Sequence, residues 1–430
     1  MEDASQSIAF DSVHREIGAG PFASGSTKWV LLVSMTVVFF LLLSLYCGVL
    51  SVLLPNQIER LDHAHKAGDL AVVFAITSVF STITTPVAGA LSDRTRSRFG
   101  RRTPWIVLGS LIGAACLVTV SQMTALWAIT LFWVGATIAL NSMQAAITTI
   151  VADRFHEDQR GVASGFVGAG MTAGCTVGII VAGLIAPNLT AAYVLFAVAV
   201  AVACIAFVLI NREPRFAGGP AGPFRPFEFL RGFWISPREH PDFAWAFLGR
   251  FTIYLGYQAI VTYLLYILQD YIRLSVAQSN DTIARLSTIT FVALVISAFG
   301  SGFLSDRWGR RKPLVFLSSI TMGAAMIVPL LAPTVTGMIG YAVLIGLGYG
   351  AFMSVDMALM TQVLPKADGG DTGKDLGLLT TAVNVPQILS PVWAAWLLNM
   401  TGEDYRSLFI SAIVFVFAGS AFVWPIRSVR

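Results

Sequence analysis

Gly89-Ala-Leu-Ser-Asp-Arg94 recurs in the same chain as Gly302-Phe-Leu-Ser-Asp-Arg307, 213 residues later. Two further pairs hold the same order. Ala139-Leu-Asn-Ser-Met-Gln-Ala-Ala146 aligns with Ala351-Phe-Met-Ser-Val-Asp-Met-Ala358 at an offset of 212, and Gly100-Arg-Arg102 with Gly309-Arg-Arg311 at 209. The first copy therefore carries four extra residues between its aspartate and its arginine pair. One hexapeptide recurs by chance; several in one order predict two similar halves lying in parallel.

The sequence around the repeats predicts a membrane protein. Hydrophobic residues make up 56% of the 430 and charged residues 12%, against roughly 25% charged in ordinary globular proteins. Apolar runs long enough to cross a bilayer predict twelve helices, at 29–54, 70–91, 104–122, 125–152, 161–186, 190–210, 242–269, 284–305, 313–332, 336–361, 376–399 and 405–426. Of the 28 Lys and Arg, only Arg60, Lys66, Arg273, Arg285 and Arg406 fall on the side away from the N-terminus, and Arg250 falls inside a span. That bias places both termini in the cytoplasm of a multi-pass protein of the plasma (cell inner) membrane. The expected organisation is a tail at 1–28, a six-helix bundle at 29–210, a cytoplasmic linker at 211–241, a second six-helix bundle at 242–426 and a short terminus at 427–430. The linker holds six prolines and four glycines, and mixes aromatics with arginines from Phe224 to Ile235. Such a segment either lies in the membrane interface or is a basic tether.

Several function classes are excluded by what the chain lacks. It has no phosphate-binding loop of the ATPase type, no His-Glu-x-x-His and no Gly-x-Ser-x-Gly, so neither an enzyme nor an ATP-driven pump is expected, and no cofactor. All five histidines lie outside the predicted spans. The four cysteines, Cys47, Cys116, Cys175 and Cys204, sit in apolar stretches without metal-ligand spacing, which predicts packing roles and no metal. The expected partners are a small-molecule substrate, a coupling ion and membrane lipids, with no nucleic acid.

At the repeated loop the chain resembles the major facilitator superfamily, and the longer first copy, Gly89 to Pro104 with its inserted Thr-Arg-Ser-Arg-Phe, is similar to the loop of the sucrose:proton and glycoside–pentoside–hexuronide:cation symporters. Val355-Asp-Met-Ala-Leu359 and Pro386-Gln387 fit the same branch. The resemblance implies an all-α fold of twelve spans in two pseudo-symmetric bundles, alternating access, and a cytoplasmic gate. That gate would use Asp93, Arg94, Arg101 and Arg102 with Lys374, and Asp306, Arg307, Arg310 and Arg311 with Arg160. The competing reading of these arginines is topological anchoring alone.

The resemblance also implies that spans 1, 4, 7 and 10 line a central cavity, and these spans carry the informative polar residues. Ionisable groups inside a span are costly and need a partner or a wet cavity. Arg250 and Asp356 lie at similar depth in spans 7 and 10, which predicts a pair whose protonation couples transport to protons; a static ion pair is the alternative. Thr137, Asn141, Gln144 and Thr148 share one face of span 4; Tyr254, Tyr257 and Gln258 continue the face of Arg250; Tyr46, Tyr349, Asn384 and Gln387 complete the set. Amides and tyrosines suit a hydroxyl-rich solute, so Tyr46, Asn141, Gln144, Tyr254, Tyr257, Gln258, Tyr349, Asn384 and Gln387 are the expected substrate contacts. Together these features predict a secondary transporter, proton-coupled symport of a sugar or glycoside; the alternative is proton-coupled efflux of a small organic molecule or drug.

Overall fold

The structure is a computed structural model that describes residues 25–97, 99–155, 157–212, 241–308, 312–363 and 372–426. These residues form twelve long helices: α1 Gly25–Leu61, α2 Lys66–Arg94, α3 Thr103–Val120, α4 Leu126–Arg154, α5 Glu157–Ile185, α6 Leu189–Ile210, α7 Pro241–Tyr271, α8 Val276–Trp308, α9 Lys312–Leu331, α10 Val335–Val363, α11 Thr372–Thr401 and α12 Tyr405–Val423. Eleven spans drawn from these helices are long and apolar enough to cross a membrane. Every span expected from the sequence coincides with a helix, but several helices run further. The helix α8 begins at Val276, eight residues ahead of the expected 284, because Gln278, Asn280 and Asp281 break the hydropathy without breaking the helix.

Local chemistry sets the starts of two helices. Asn188 accepts from Ala191 N at 3.1 Å and Asp404 from Arg406 N at 3.0 Å, each satisfying a donor that the first helical turn leaves without a partner. Both α1 and α7 pass through one π-helical segment, Val49–Leu53 and Ile267–Tyr271, at corresponding places in the two sequence halves. The α1–α2, α7–α8 and α11–α12 connections lie together on one side, the far side.

The chain separates into two compact units whose limits depart from the sequence halves. One comprises Met1–Cys47, Val79–Gly178 and Asn188–Phe224; the other Gly48–Ser78, Ile179–Pro187 and Arg225–Arg430. The far-side ends of α1, α2 and α5 thus belong with the C-terminal helices.

In the first unit α5 lies backbone-to-backbone on α1. A Cβ at Gly174 would meet the Phe40 carbonyl, one at Gly178 the Ser44 carbonyl, and one at Gly170 the Thr36 side chain. Small residues four apart permit that approach, and Ser44 Oγ donates to Gly174 O at 2.8 Å. The same interface corrects the expectation for two of the cysteines. Cys47 and Cys175 form a disulfide that fastens α1 to α5, whereas Cys204 remains a buried thiol and Cys116 a partly exposed one. Their separation of 128 residues along the chain hid the pairing; close packing of the helices creates it.

In the second unit, α10 packs on α8 through Gly346 and Gly350, whose Cβ positions are filled by Thr290 and Leu294 backbone, and α7 packs on α12 through Gly256 and Gly249. Through α9, where Gly348 meets Met322 and Gly323 meets the Phe417 ring, these pairs are joined and set the relative depth of side chains on α7 and α10, on which the site depends.

Candidate functional site

Within the second unit, α7 and α10 run antiparallel and bring together a polar cluster in an apolar setting. Arg250 and Asp356 face each other, with Arg250 Nε 3.3 Å from Asp356 Oδ2 and the two side chains only 6% and 7% exposed. The contact is an ion pair without a hydrogen bond: among the described residues neither Nε nor Nη1 of Arg250 makes one. One turn further along α7, Tyr254 lies edge-on to Phe352 with ring centres 6.1 Å apart, and the Arg250 guanidinium sits 5.8 Å from the Tyr254 ring. Another turn on, Tyr257 stacks on Tyr349 at 4.3 Å with the planes 10° apart. Tyr349 Oη donates to Tyr254 Oη at 3.4 Å. Each step along α7 is matched by an equal step back along α10, so two antiparallel helices with side chains at i, i+4 and i+7 build the ladder.

The cluster changes character along its length. Its buried end holds the charge pair, and its partly exposed end holds the flat faces of Tyr257 and Tyr349. Gln258 turns aside to Thr262 Oγ1 at 3.5 Å.

In the first unit, Tyr46 Oη donates to Asn141 Oδ1 at 2.9 Å, and Asn141 Nδ2 donates to Ser81 Oγ at 2.6 Å. The amide expected to meet substrate is therefore already engaged by α1 and α2, with Trp133 edge-on to Tyr46 at 6.4 Å. Gln144, half-buried on α4, has no such engagement among the described residues, and Gln387 is exposed on α11.

Part of the repeated loop falls within the described residues. Arg102 is buried and donates to Ser92 Oγ at 2.7 Å, tying the start of α3 to the end of α2. Arg94 and Arg101 are half-buried and Arg307 is exposed. Arg310 and Arg311 lie outside the described residues, as do the side chains of Asp93, Arg160, Asp306, Lys374 and Asn384.

A second charged cluster, on the far side of the second unit, was not anticipated. Lys66, counted from sequence as a loop cation, is the first residue of α2, and its side chain is 4% exposed. Its ammonium lies 3.1 Å from Glu59 Oε1 and 2.9 Å from Asp270 Oδ1, and 4.8 Å from the Tyr266 ring centre. Tyr405 donates to Asp270 at 2.8 Å and Gln269 to Glu59 at 2.8 Å. Beside it, Asn56 and Asn280 exchange amide hydrogen bonds at 2.9 and 3.3 Å. The contributors come from α1, α2, α7, α8 and α12, so no spacing in the sequence announces them. The faint signal was a lysine with acids on both flanks, Glu59 and Asp69, at the mouth of an apolar run.

Comparison with known proteins places this geometry. The sequence profile of the Major Facilitator Superfamily matches residues 32–280 and 246–430. The chain belongs to the Major Facilitator Superfamily and is a multi-pass membrane protein, and the relatives it matches are transporters rather than enzymes. It is 28% identical over 195 residues to the Fujikurins efflux protein of Gibberella fujikuroi, covering 44% of this chain and 39% of that one. It is 38% identical over 56 residues to the inner membrane symporter YicJ of Escherichia coli, covering 13% and 12%. The chain thus spans about two-fifths or less of the curated relatives it matches. Among solved structures it is similar to a bacterial homolog of the human lysosomal transporter Spinster, in an inward-facing and unoccupied conformation. The TM-score is 0.72 at 15% identity, over 92% of this chain and 96% of that one, a likeness of fold.

Proposed function

We propose that this transporter is a proton-coupled symporter of a small ring-bearing solute, a sugar or glycoside in class, working by alternating access from the plasma membrane with its termini in the cytoplasm. The observation that carries the reading is the buried Arg250–Asp356 pair. A carboxylate in an apolar span is held ionised by its cationic partner, and a proton on it neutralises one side of the pair. Arg250 is then released from its charge partner when the proton arrives and recaptured when it leaves. That is a two-state element a proton gradient can bias. Tyr254, Tyr257 and Tyr349 supply ring faces beside it, which suits the C–H faces of a sugar ring. The symporter relative supports this direction of coupling; the longer match to an efflux protein supports the opposite direction through the same machinery.

Asp356→Asn keeps the size of the side chain and removes the proton site. The expected outcome in proteoliposomes is loss of accumulation against a gradient while passive counterflow persists. Accumulation intact in Asp356→Asn would sink the coupling role. Direction is read separately: solute added to the medium of energised cells alkalinises it on symport uptake, whereas proton-driven efflux is read as expulsion of solute from preloaded cells, with protons entering in exchange.

A further inference from the structure

We infer that the solute carries a carboxylate, seated on Arg250 and Tyr254, with its ring against the stacked Tyr257 and Tyr349. The inference rests on the proton-coupling reading above and names the cargo of that same site.

The first ground is a count of donors. A guanidinium presents five N–H groups in a fixed fork matched to a carboxylate. Arg250 is 6% exposed and its Nε lies 3.3 Å from Asp356, yet neither Nε nor Nη1 makes a hydrogen bond among the described residues. Buried donors left without acceptors are costly. A neutral sugar hydroxyl offers one weak acceptor; a carboxylate offers two oxygens in the geometry of the fork.

The second ground is charge balance. Among the described residues the ionisable groups at this place are Arg250 and Asp356, with the phenols of Tyr254 and Tyr349 beside them and Tyr257 stacked on Tyr349. Empty, the site holds one positive and one negative charge. With a proton on Asp356 and a neutral solute it would hold an unbalanced guanidinium at a depth where net charge is expensive. With a proton on Asp356 and a carboxylate on Arg250 it is again neutral. The proton comes from the side of higher acidity, resides on an Asp356 oxygen during transit and leaves on the other side, while the anion trades places with Asp356 as the partner of Arg250. Both the empty and the loaded site are then neutral, and transport of one proton with one monocarboxylate moves no net charge.

The third ground is shape. The Tyr257–Tyr349 stack is partly exposed and lies two turns of α7 from Arg250, so a solute lying along the ladder places a ring face at one end and an acidic group at the other.

The test uses the purified full chain and matched probes: glucuronate against methyl glucoside, and benzoate against benzyl alcohol. Thermal shift at acidic pH is expected to show the acid of at least one pair binding roughly tenfold to a hundredfold tighter than its neutral mate. Arg250→Gln is expected to erase that preference and Arg250→Lys to keep part of it, which separates lost recognition from lost folding. If both neutral mates bind as well as their acids, or no acid shifts the native chain more than Arg250→Gln, the carboxylate assignment is overturned. Proteoliposome measurements divide this inference from the coupling reading. A carboxylate accumulated under a pH gradient without net current supports both. A neutral solute driving a pH-dependent current overturns the carboxylate and leaves coupling standing. An acid that binds through Arg250 without accumulating overturns the coupling and leaves the carboxylate site.

Discussion

Lys66 shows how little of a side chain's surroundings its position in the sequence reveals. From sequence it is one of few cations on the far side; in the fold it is held by Glu59 and Asp270 and covered by Tyr266. Lys66→Met would leave two carboxylates facing each other without a counter-charge. Removing one member of a fully buried pair costs about 3–5 kcal/mol, and the 27% exposure of the Asp270 side chain reduces that here. The expected loss is about 2 kcal/mol, read as a lower unfolding midpoint in detergent and reversed in part by Asp270→Asn. Nearby, in the α1–α2 connection, His65 Nδ1 lies 2.9 Å from Asp62 Oδ2. That hydrogen bond raises the His65 pKa above its usual 6.5 and lowers that of Asp62 below its usual 3.8. The histidine's contribution is complete below 6.5 and is lost as pH rises through the raised value. The aspartate's is complete above 3.8 and is lost as pH falls through the lowered one. The contact is therefore expected to be intact between those limits, and an NMR titration of His65 should give a midpoint above 6.5 that falls in Asp62→Asn.

At the scale of elements, the α1–α5 interface combines a glycine stripe with a covalent tie. Gly174 has backbone where a Cβ would stand, and backbone cannot yield as a flexible side chain can. Gly174→Leu is expected to push the helices apart at a cost of about 1–3 kcal/mol or more. An exposed α3 position such as Leu108→Ala, which opens no packed contact, is the control. The disulfide is checked by counting thiols: alkylation of the denatured chain should label two cysteines before reduction and four after it. The spacing of Gly170, Gly174 and Gly178 by itself describes a close-packing stripe. The partner helix and the Cys47–Cys175 bond were not legible in the sequence, because both depend on which helix lies opposite.

For the whole molecule, the outward faces matter as much as the buried ones. Val198 lies near the middle of α6 and is 51% exposed among other exposed apolar residues, a surface suited to hydrocarbon. Val198→Arg is expected to cost about 3 kcal/mol of insertion free energy, visible as a reduced membrane-integrated yield, with Val198→Leu unchanged.

The sequence by itself determined the twelve helices, the repeat and the similar depth of Arg250 and Asp356. Hydropathy, helical period and repeat offset are local quantities; that spans 7 and 10 face one another came from the family resemblance, and the structure shows the pair. Only the tertiary structure decided that Asn141 is taken up by Tyr46 and Ser81, that Cys47 is bonded to Cys175, and that Lys66 is buried among acids from other helices. It also decided the division of the chain, in which the far-side ends of α1, α2 and α5 join the C-terminal helices. The physical reason is common to all four. A helix fixes which residues share its face, but which face meets which neighbour is settled by close packing between segments remote in the chain.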